Sequence, residues 1–461
     1  MNRRELLRTA GAGFGMAGLS SLLGAASKTE AASGPLAVRA PHFPPKAKRV
    51  IFIFLNGGMS QVDTFDPKPM LAKHHGEPMP GPKIKTDRAS GSLMRSPFEF
   101  RKRGQSGLEV SEIFPQLGAR IDDLCVIRSM YSDNGNHGPS LLLMNSGHGL
   151  AGRPSMGSWI TYGLGTENQN LPGFVALCPG YPVLGPQLWD SAFLPSSYQG
   201  AYIRNSEKEP EKLVRNLRNK ELTLAEQERQ LNLVSKLNQS YLSQIGHQPQ
   251  LEASIASMEV AFRMQMEAPD VLDITKESEA TRARYGDTDF GRGCLMSLRL
   301  AERGVRMVQL YFGNFQPWDS HDDIRVHAKL AGAADGPIAA LLDDLKARGL
   351  FQDTIVMIGS EFGRTPMIQN SGLERVGNGR DHNVPGYTML LAGGGVKGGM
   401  AYGATDDFGF KAVENRVHPH DLHATILHLM GLDHKRLTYR YSGRDFRLTD
   451  VAGEVIQPII A

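Results

Sequence analysis

The residues of this chain best suited to chemistry are acids, imidazoles and guanidinium groups placed beside runs of apolar residues. Asn56 and Asp63 come after the run 50–55, and Asp133, Asn136 and His137 after the run 124–127. Asp319 and His321 follow 304–312, Glu361 and Arg364 follow 354–358, and Asp381 and His382 shortly precede 387–391. Carboxylates mixed with imidazoles suit zinc, manganese or iron, whereas an all-oxygen subset suits calcium or magnesium. Arg364 offers a planar fork for an anion, with an ion pair to Glu361 as its structural alternative. No single pair is specific; the signal is that the polar groups recur at the ends of apolar runs. His418, His420, His423 and His428 form a second group, which either binds a metal or caps and packs a helix beginning near Asp421.

Scattered residues of this kind meet only if the elements between them bring them to one place. Apolar runs closed by glycines, as at Asn56-Gly57-Gly58, predict buried parallel strands whose C-terminal ends open into loops. Ligand sites of open α/β sheets lie along that edge. Helical patterns alternate with the strands, notably over 337–348, where Ile338, Leu341, Leu342 and Leu345 share a face, and over 421–430. The alternation predicts an α/β fold with a mainly parallel central sheet. Residues 205–285, rich in Glu, Lys, Leu, Gln and Met, predict two or three amphipathic helices inserted into that domain or packed on its side. Met258, Met264 and Met266 are expected to fill packing gaps there. Between 168 and 202, Pro, Gly and aromatics predict loops and short strands near a substrate entrance, where Trp189, Tyr198 and Tyr202 either stack on a sugar or serve the structure.

The first 33 residues differ from the rest. Arg3 and Arg4, followed by Leu6 and Leu7, precede an uncharged, Gly- and Ala-rich run from 9 to 26. That run is too short and too glycine-rich for a spanning helix and reads as a cleavable twin-arginine signal with a short linker. The reading implies the twin-arginine export machinery as a partner, a periplasmic or extracytoplasmic location, and no stable transmembrane segment after cleavage. A formal net charge of +3 and the lack of a long basic stripe argue against nucleic acid as a partner. Three widely spaced cysteines, Cys125, Cys178 and Cys294, form neither a thiolate metal motif nor a disulfide framework.

Several stretches taken together resemble a known family: residues 56–68, Trp318-Asp319-Ser320-His321, 360–366, Gly379-Arg380-Asp381-His382, 392–399, 402–406 and 441–447. The chain resembles the domain of unknown function 1501 family, within the alkaline-phosphatase and sulfatase-like superfamily. The resemblance implies a three-layer αβα domain over 34–461 and a metal-dependent phosphatase or sulfatase scaffold, with the nucleophile at the start of a helix beside the metal. In that scheme Asp319 and His321 look like the acid and His of the first metal site, and His382 like its later His. Asn56 stands in place of an Asp, and Glu361-Phe362 in place of an Asp-His pair. The resemblance therefore implies one ion, or an unconventional arrangement using Asp63, rather than two zinc ions.

His137 falls at the nucleophile position and Leu141 where an Arg belongs, which argues against formylglycine because Cys or Ser is its starting material. His137 is then a ligand, a general base, a phosphate acceptor or a buried structural His. Ser60, Ser132 and Ser140 are alternative hydroxyls with no visible activating base. The expected protein is an exported metal-dependent hydrolase of phosphate or sulfate esters, acting on an anionic carbohydrate or lipid conjugate. Its divalent ion, zinc first with calcium or manganese as alternatives, is held by Asp319, His321 and His382 and completed by Glu361 and Asn56, while Arg364 steadies the anion. The alternative is a catalytically degenerate exported protein that binds a glycan or a partner. A third reading, assembly through the helical insertion, predicts a broad exposed apolar face on 205–285.

Overall fold

In the computed structural model, every residue of the first strand is buried, so both faces of its sheet must be covered. The described residues are 36–81, 86, 88–214, 221–245, 249–371 and 375–461; the expected export signal at 1–33 lies outside them. Ten strands position the site and its support: β1 (Arg49–Phe54), β2 (Leu124–Met130), β3 (Phe174–Leu177), β4 (Ala201–Ile203), β5 (Met307–Tyr311), β6 (Thr354–Gly359), β7 (Gly363–Ser371), β8 (Arg375–Asn383), β9 (Tyr387–Ala392) and β10 (Met400–Tyr402). Eight of them form the central sheet in the order β10-β2-β9-β6-β1-β5-β3-β4. Its pairings are parallel except those of β9, which runs antiparallel to both β2 and β6. The fold is thus α/β with a largely parallel sheet, as the alternating pattern predicts. The reversal of β9 is invisible in its sequence, because a strand buried on both faces looks the same in either direction.

Helices flank the sheet: α1 (His137–Ser146), α2 (Met156–Leu164), α3 (Leu224–Ile245), α4 (Pro249–Leu272), α5 (Asp289–Glu302), α6 (Val326–Ala347) and α7 (Pro419–Leu429). One contiguous apolar core joins the sheet to α2, α5, α6 and α7. The stretch 337–348 proves to be the second half of α6, which starts at Val326 and carries Pro337 inside. Its first half is rich in Ala and Gly rather than patterned by large apolar residues. Tertiary contacts hold it: Asp335 accepts from the backbone N–H groups of Gln116 and Leu117, both at 2.7 Å. In α4, Met264 is buried, whereas Met258 is 45% exposed and fills no gap. Along α3, Leu233, Leu237 and Tyr241 stand exposed at helical spacing.

The second histidine group caps and packs. The His418 side chain accepts from the His420 N–H at the start of α7, and Asp421 reciprocates to the His418 N–H at 2.9 Å, closing a capping box. His423 Nε2 donates to Met144 O at 2.9 Å. His327, in α6, accepts from the Ser60 N–H at Nε2 and faces the Ser320 hydroxyl with Nδ1. Burial pushes both His327 and His423 down to about 3, well below the usual value of about 6.5.

Those two groups give the fold an acid dependence of known sign. Between pH 6.5 and 3 the unfolded chain binds protons at these positions and the folded chain does not, so stability is lost as pH falls. Each contributes a slope of up to about 1.4 kcal/mol per pH unit in that window and none above it. Urea midpoints measured at pH 7 and pH 5 should fall for the native chain and fall less for His423→Gln; equal drops in the two would remove His423 from the explanation.

Candidate metal centre

The strand ends build one site. His137 is the first residue of α1, set there because Asn136 caps the helix through a hydrogen bond from the Gly138 N–H at 3.2 Å. Asp319 and His321 occupy the loop after β5. Glu361 and Arg364 lie at the turn from β6 into β7, and His382 stands opposite Arg364 in the antiparallel β7–β8 pair. Close backbone approach makes this possible: a side chain on Gly57, at φ +121°, would come within 2.6 Å of the Asp319 N atom. The adjacent Asn56 carbonyl accepts from the Trp318 N–H at 3.1 Å, fixing the loop that carries Asp319.

Ligand atoms of His137, Asp319, His321 and His382 all lie within 4.8 Å of one another. Each imidazole is anchored through Nδ1, leaving Nε2 to face the centre. His382 Nδ1 donates to the Gly135 carbonyl at 2.6 Å, His137 Nδ1 to Glu361 Oε1 at 2.7 Å, and His321 Nδ1 to Gln369 Oε1. Outer partners of this kind set the tautomer and aim a metal ligand. Asp319 sits among the three Nε2 atoms, at 2.9 Å from His321, 3.4 Å from His382 and 3.5 Å from His137. Yet His137 Nε2 and His321 Nε2 are buried with no hydrogen-bond partner of proper geometry. Buried nitrogens are rarely left so, and lone pairs converging on one carboxylate are what a divalent ion would satisfy. The cluster is compatible with such an ion.

Charge is arranged to match. Burial alone would raise the Asp319 pKa, but His137, His321, His382 and the Arg364 guanidinium hold it well below the usual carboxylate range. Burial would likewise raise Glu361, which His137 and Ser360 instead keep low and ionised. At His137 burial is outweighed by Asp319 and Glu361, so its pKa is raised, whereas burial lowers that of His382.

Of the residues picked out by sequence, the structure brings Asp319, His321, His382 and His137 together and sets the other three around them. Glu361 lies behind the His137 ring, accepting from Gly57 N at 3.1 and 3.2 Å and from Ser360 Oγ at 2.7 Å. Asn56 donates from Nδ2 to the carbonyls of Gly313, at 3.1 Å, and Phe315, while its buried Oδ1 has no partner. Arg364 is fully buried and spends its N–H groups on the carbonyls of Gly57, Gly58 and Arg380 and on Asp319, the last at 2.6 Å. Asp63 is turned to Arg380 rather than to the cluster. Sequence reasoning missed Gln369 and the Gly135 carbonyl; an amide in a polar strand and a backbone oxygen leave no local signal. A cleft of about 490 Å³ opens beside His382, lined also by Thr86, Asp133, Asn134, Pro385 and Phe410.

Fold and site define the class: an α/β protein with a histidine–carboxylate cluster at the C-terminal edge of a largely parallel sheet. The chain belongs to the family described as Protein of unknown function (DUF1501), whose model matches residues 47–460. No curated protein matches it. Solved structures similar to it include the phosphonate monoester hydrolase from Silicibacter pomeroyi, at 13% identity and a TM-score of 0.38 over 89% of this chain and 76% of that one. Another is the lipoteichoic acid synthase LtaP from Listeria monocytogenes, at 10% and 0.37 over 90% and 78%. A third is Ps i-CgsB, solved in complex with k-i-k-neocarrahexaose, at 12% and 0.37 over 84% and 72%. Likenesses this distant leave the chemistry to be argued from the site itself.

Proposed function

We propose that this protein is an exported metal-dependent hydrolase of phosphate or sulfate esters. The observation that carries the reading is the convergence of three Nδ1-anchored imidazoles on one ionised carboxylate, with two Nε2 atoms buried and unpartnered. His137, Asp319, His321 and His382 would hold the ion; Glu361 orients His137, Gln369 orients His321, and Arg364 fixes Asp319. A divalent ion there would supply Lewis acidity to an ester oxygen and lower the pKa of water. Nitrogen-rich ligation favours zinc or manganese over calcium. Export is supported by the Arg3-Arg4 pattern, and no helix among the described residues is long and apolar enough to cross a membrane.

A specific observation favours the second reading, a site that binds without turnover. Four protein ligands close a tetrahedral zinc site, which is the arrangement of structural zinc, and Arg364 has its N–H groups engaged away from any anion. An ion accepting five or six ligands, such as manganese, would keep a position open.

The deciding experiment measures metal content of the purified chain, then hydrolysis of 4-nitrophenyl phosphate, bis(4-nitrophenyl) phosphate and 4-nitrophenyl sulfate before and after metal removal and reloading. Near-stoichiometric metal and hydrolysis that follows it are expected. Glu361→Gln should weaken metal affinity about 10- to 100-fold without unfolding the chain. Metal with no hydrolysis of any ester would transfer the conclusion to the binding reading, and absence of metal would sink the hydrolase reading and put a metal-free binding role first.

A further inference from the structure

Two aromatic rings stand in solvent on segments joined to the loop that carries Asp319: Tyr181, 42% exposed, and Phe315, 72% exposed. Phe315 is held at φ +52°, a left-handed conformation that costs a bulky residue backbone strain. Its surroundings enforce that placement. The Phe315 N–H donates to the Tyr181 carbonyl at 3.0 Å, and the Phe315 carbonyl accepts from Asn56 Nδ2. Asn56 thereby ties the aromatic pair to the centre, since its own carbonyl holds the residue preceding Asp319. On the helix side, Leu184 lies 3.8 Å from where a side chain on Gly138 would begin, next to His137.

The plane of Tyr181 is fixed by two neighbours. Its ring lies nearly parallel to Tyr202, with centroids 4.9 Å apart and 23° between planes, and to buried Trp189, at 6.3 Å and 14°, while Tyr202 and Trp189 stack on each other at 5.5 Å and 9°. The Tyr202 hydroxyl donates to the Gly180 carbonyl at 2.6 Å, locking the support. Trp189 and Tyr198, two of the aromatics marked in the sequence as sugar platforms, are buried; the solvent-facing rings are Tyr181 and Phe315.

A rigid aromatic plane with an open face packs against a flat surface that is apolar on its face and polar at its rim. A pyranose ring has that character, with C–H bonds on its face and hydroxyls around its edge. The cleft beside His382 fits the same chemistry: its described lining residues offer the carboxylate of Asp133 and the amide of Asn134, with no Lys or Arg among them. Those groups suit neutral hydroxyls rather than a second anion.

We propose that the site takes a glycan, with the sugar ring adjoining the ester stacked on Tyr181 and Phe315. The assignment of that sugar as the ester's alcohol rests on the hydrolase reading, whereas the stacking contact does not. An acyl chain would instead need a continuous apolar groove leading from the centre.

The test is affinity electrophoresis of the full chain in gels containing mannan, xylan, dextran or chondroitin sulfate. Variants are Tyr181→Ala and Phe315→Gly, the latter chosen because glycine adopts the positive φ freely, and His321→Ala as the metal-free control, which leaves the Asp319–Arg364 pair in place. The native chain and His321→Ala are expected to be retarded by at least one polysaccharide. Tyr181→Ala and Phe315→Gly should lose about 10-fold in apparent affinity with metal content unchanged. The proposal is overturned if no polysaccharide retards the native chain, if retardation survives in both platform variants, or if the chain instead floats with phosphatidylglycerol vesicles. Retardation as expected with no ester hydrolysed would remove the hydrolase reading and leave the glycan contact standing.

Discussion

Replacing His382 by Ala is expected to bring metal content to background and to lower any metal-dependent hydrolysis by more than about 100-fold, beyond the cost of losing one outer partner. The chain should stay folded, because the ion pair between Asp319 and buried Arg364 is untouched. Asp319→Asn should abolish metal binding as well, and with a second consequence. Arg364 is fully buried, and its carboxylate partner would be gone. An uncompensated buried charge costs about 3–5 kcal/mol, so this variant should also unfold at markedly lower urea. Metal analysis together with urea titration of the two variants separates ligand loss from structural damage. Retention of metal by His382→Ala would show that the convergent imidazoles do not hold the ion.

The second large effect is expected at Arg380. Its guanidinium meets Asp63 with no solvent exposure on either side chain, at 2.7 and 3.1 Å, and also donates to the carbonyls of Met94 at 2.9 Å and Thr365 at 3.2 Å. Arg380→Met should cost about 3–5 kcal/mol by stranding the Asp63 carboxylate in the interior. The double replacement Asp63→Leu with Arg380→Met should recover most of that loss, because an apolar pair often replaces a buried ion pair at little cost. Metal content of the double variant should match the native chain; a loss would restore Asp63 to the ligand set. No recovery in the double variant would mean that the carbonyl contacts of Arg380, not its charge partner, dominate.

Much of the framework was legible because it depends on apolar runs. Residues 50–55, 354–358 and 387–391 announce strands that are wholly buried in the structure. The β7–β8 hairpin was illegible for the opposite reason. Its inward residues include Arg364, Thr365, Gln369, Arg380, Asp381 and Asn383, so ion pairs and amide contacts replace the apolar alternation by which a strand is recognised. The site divides in the same way. Asp319, His321 and His382 stand beside recognisable strands, whereas the position of Glu361 behind His137 depends on how α1 is set over β6. Arg364 reads in one dimension as an exposed anion hook, and only its burial under Gly57 and Gly58 shows where its N–H groups are directed.

The four residues of the cluster come from three separated parts of the chain: His137 at the start of α1, Asp319 and His321 in the loop after β5, and His382 on β8. An ion bound there would act as a clasp across most of the domain, closing loops whose ends the unfolded chain has little tendency to bring together. Its binding would then be tied to the closed structure. The chain should unfold at higher urea with the ion than without it, and its stability would follow the supply of that metal in its surroundings.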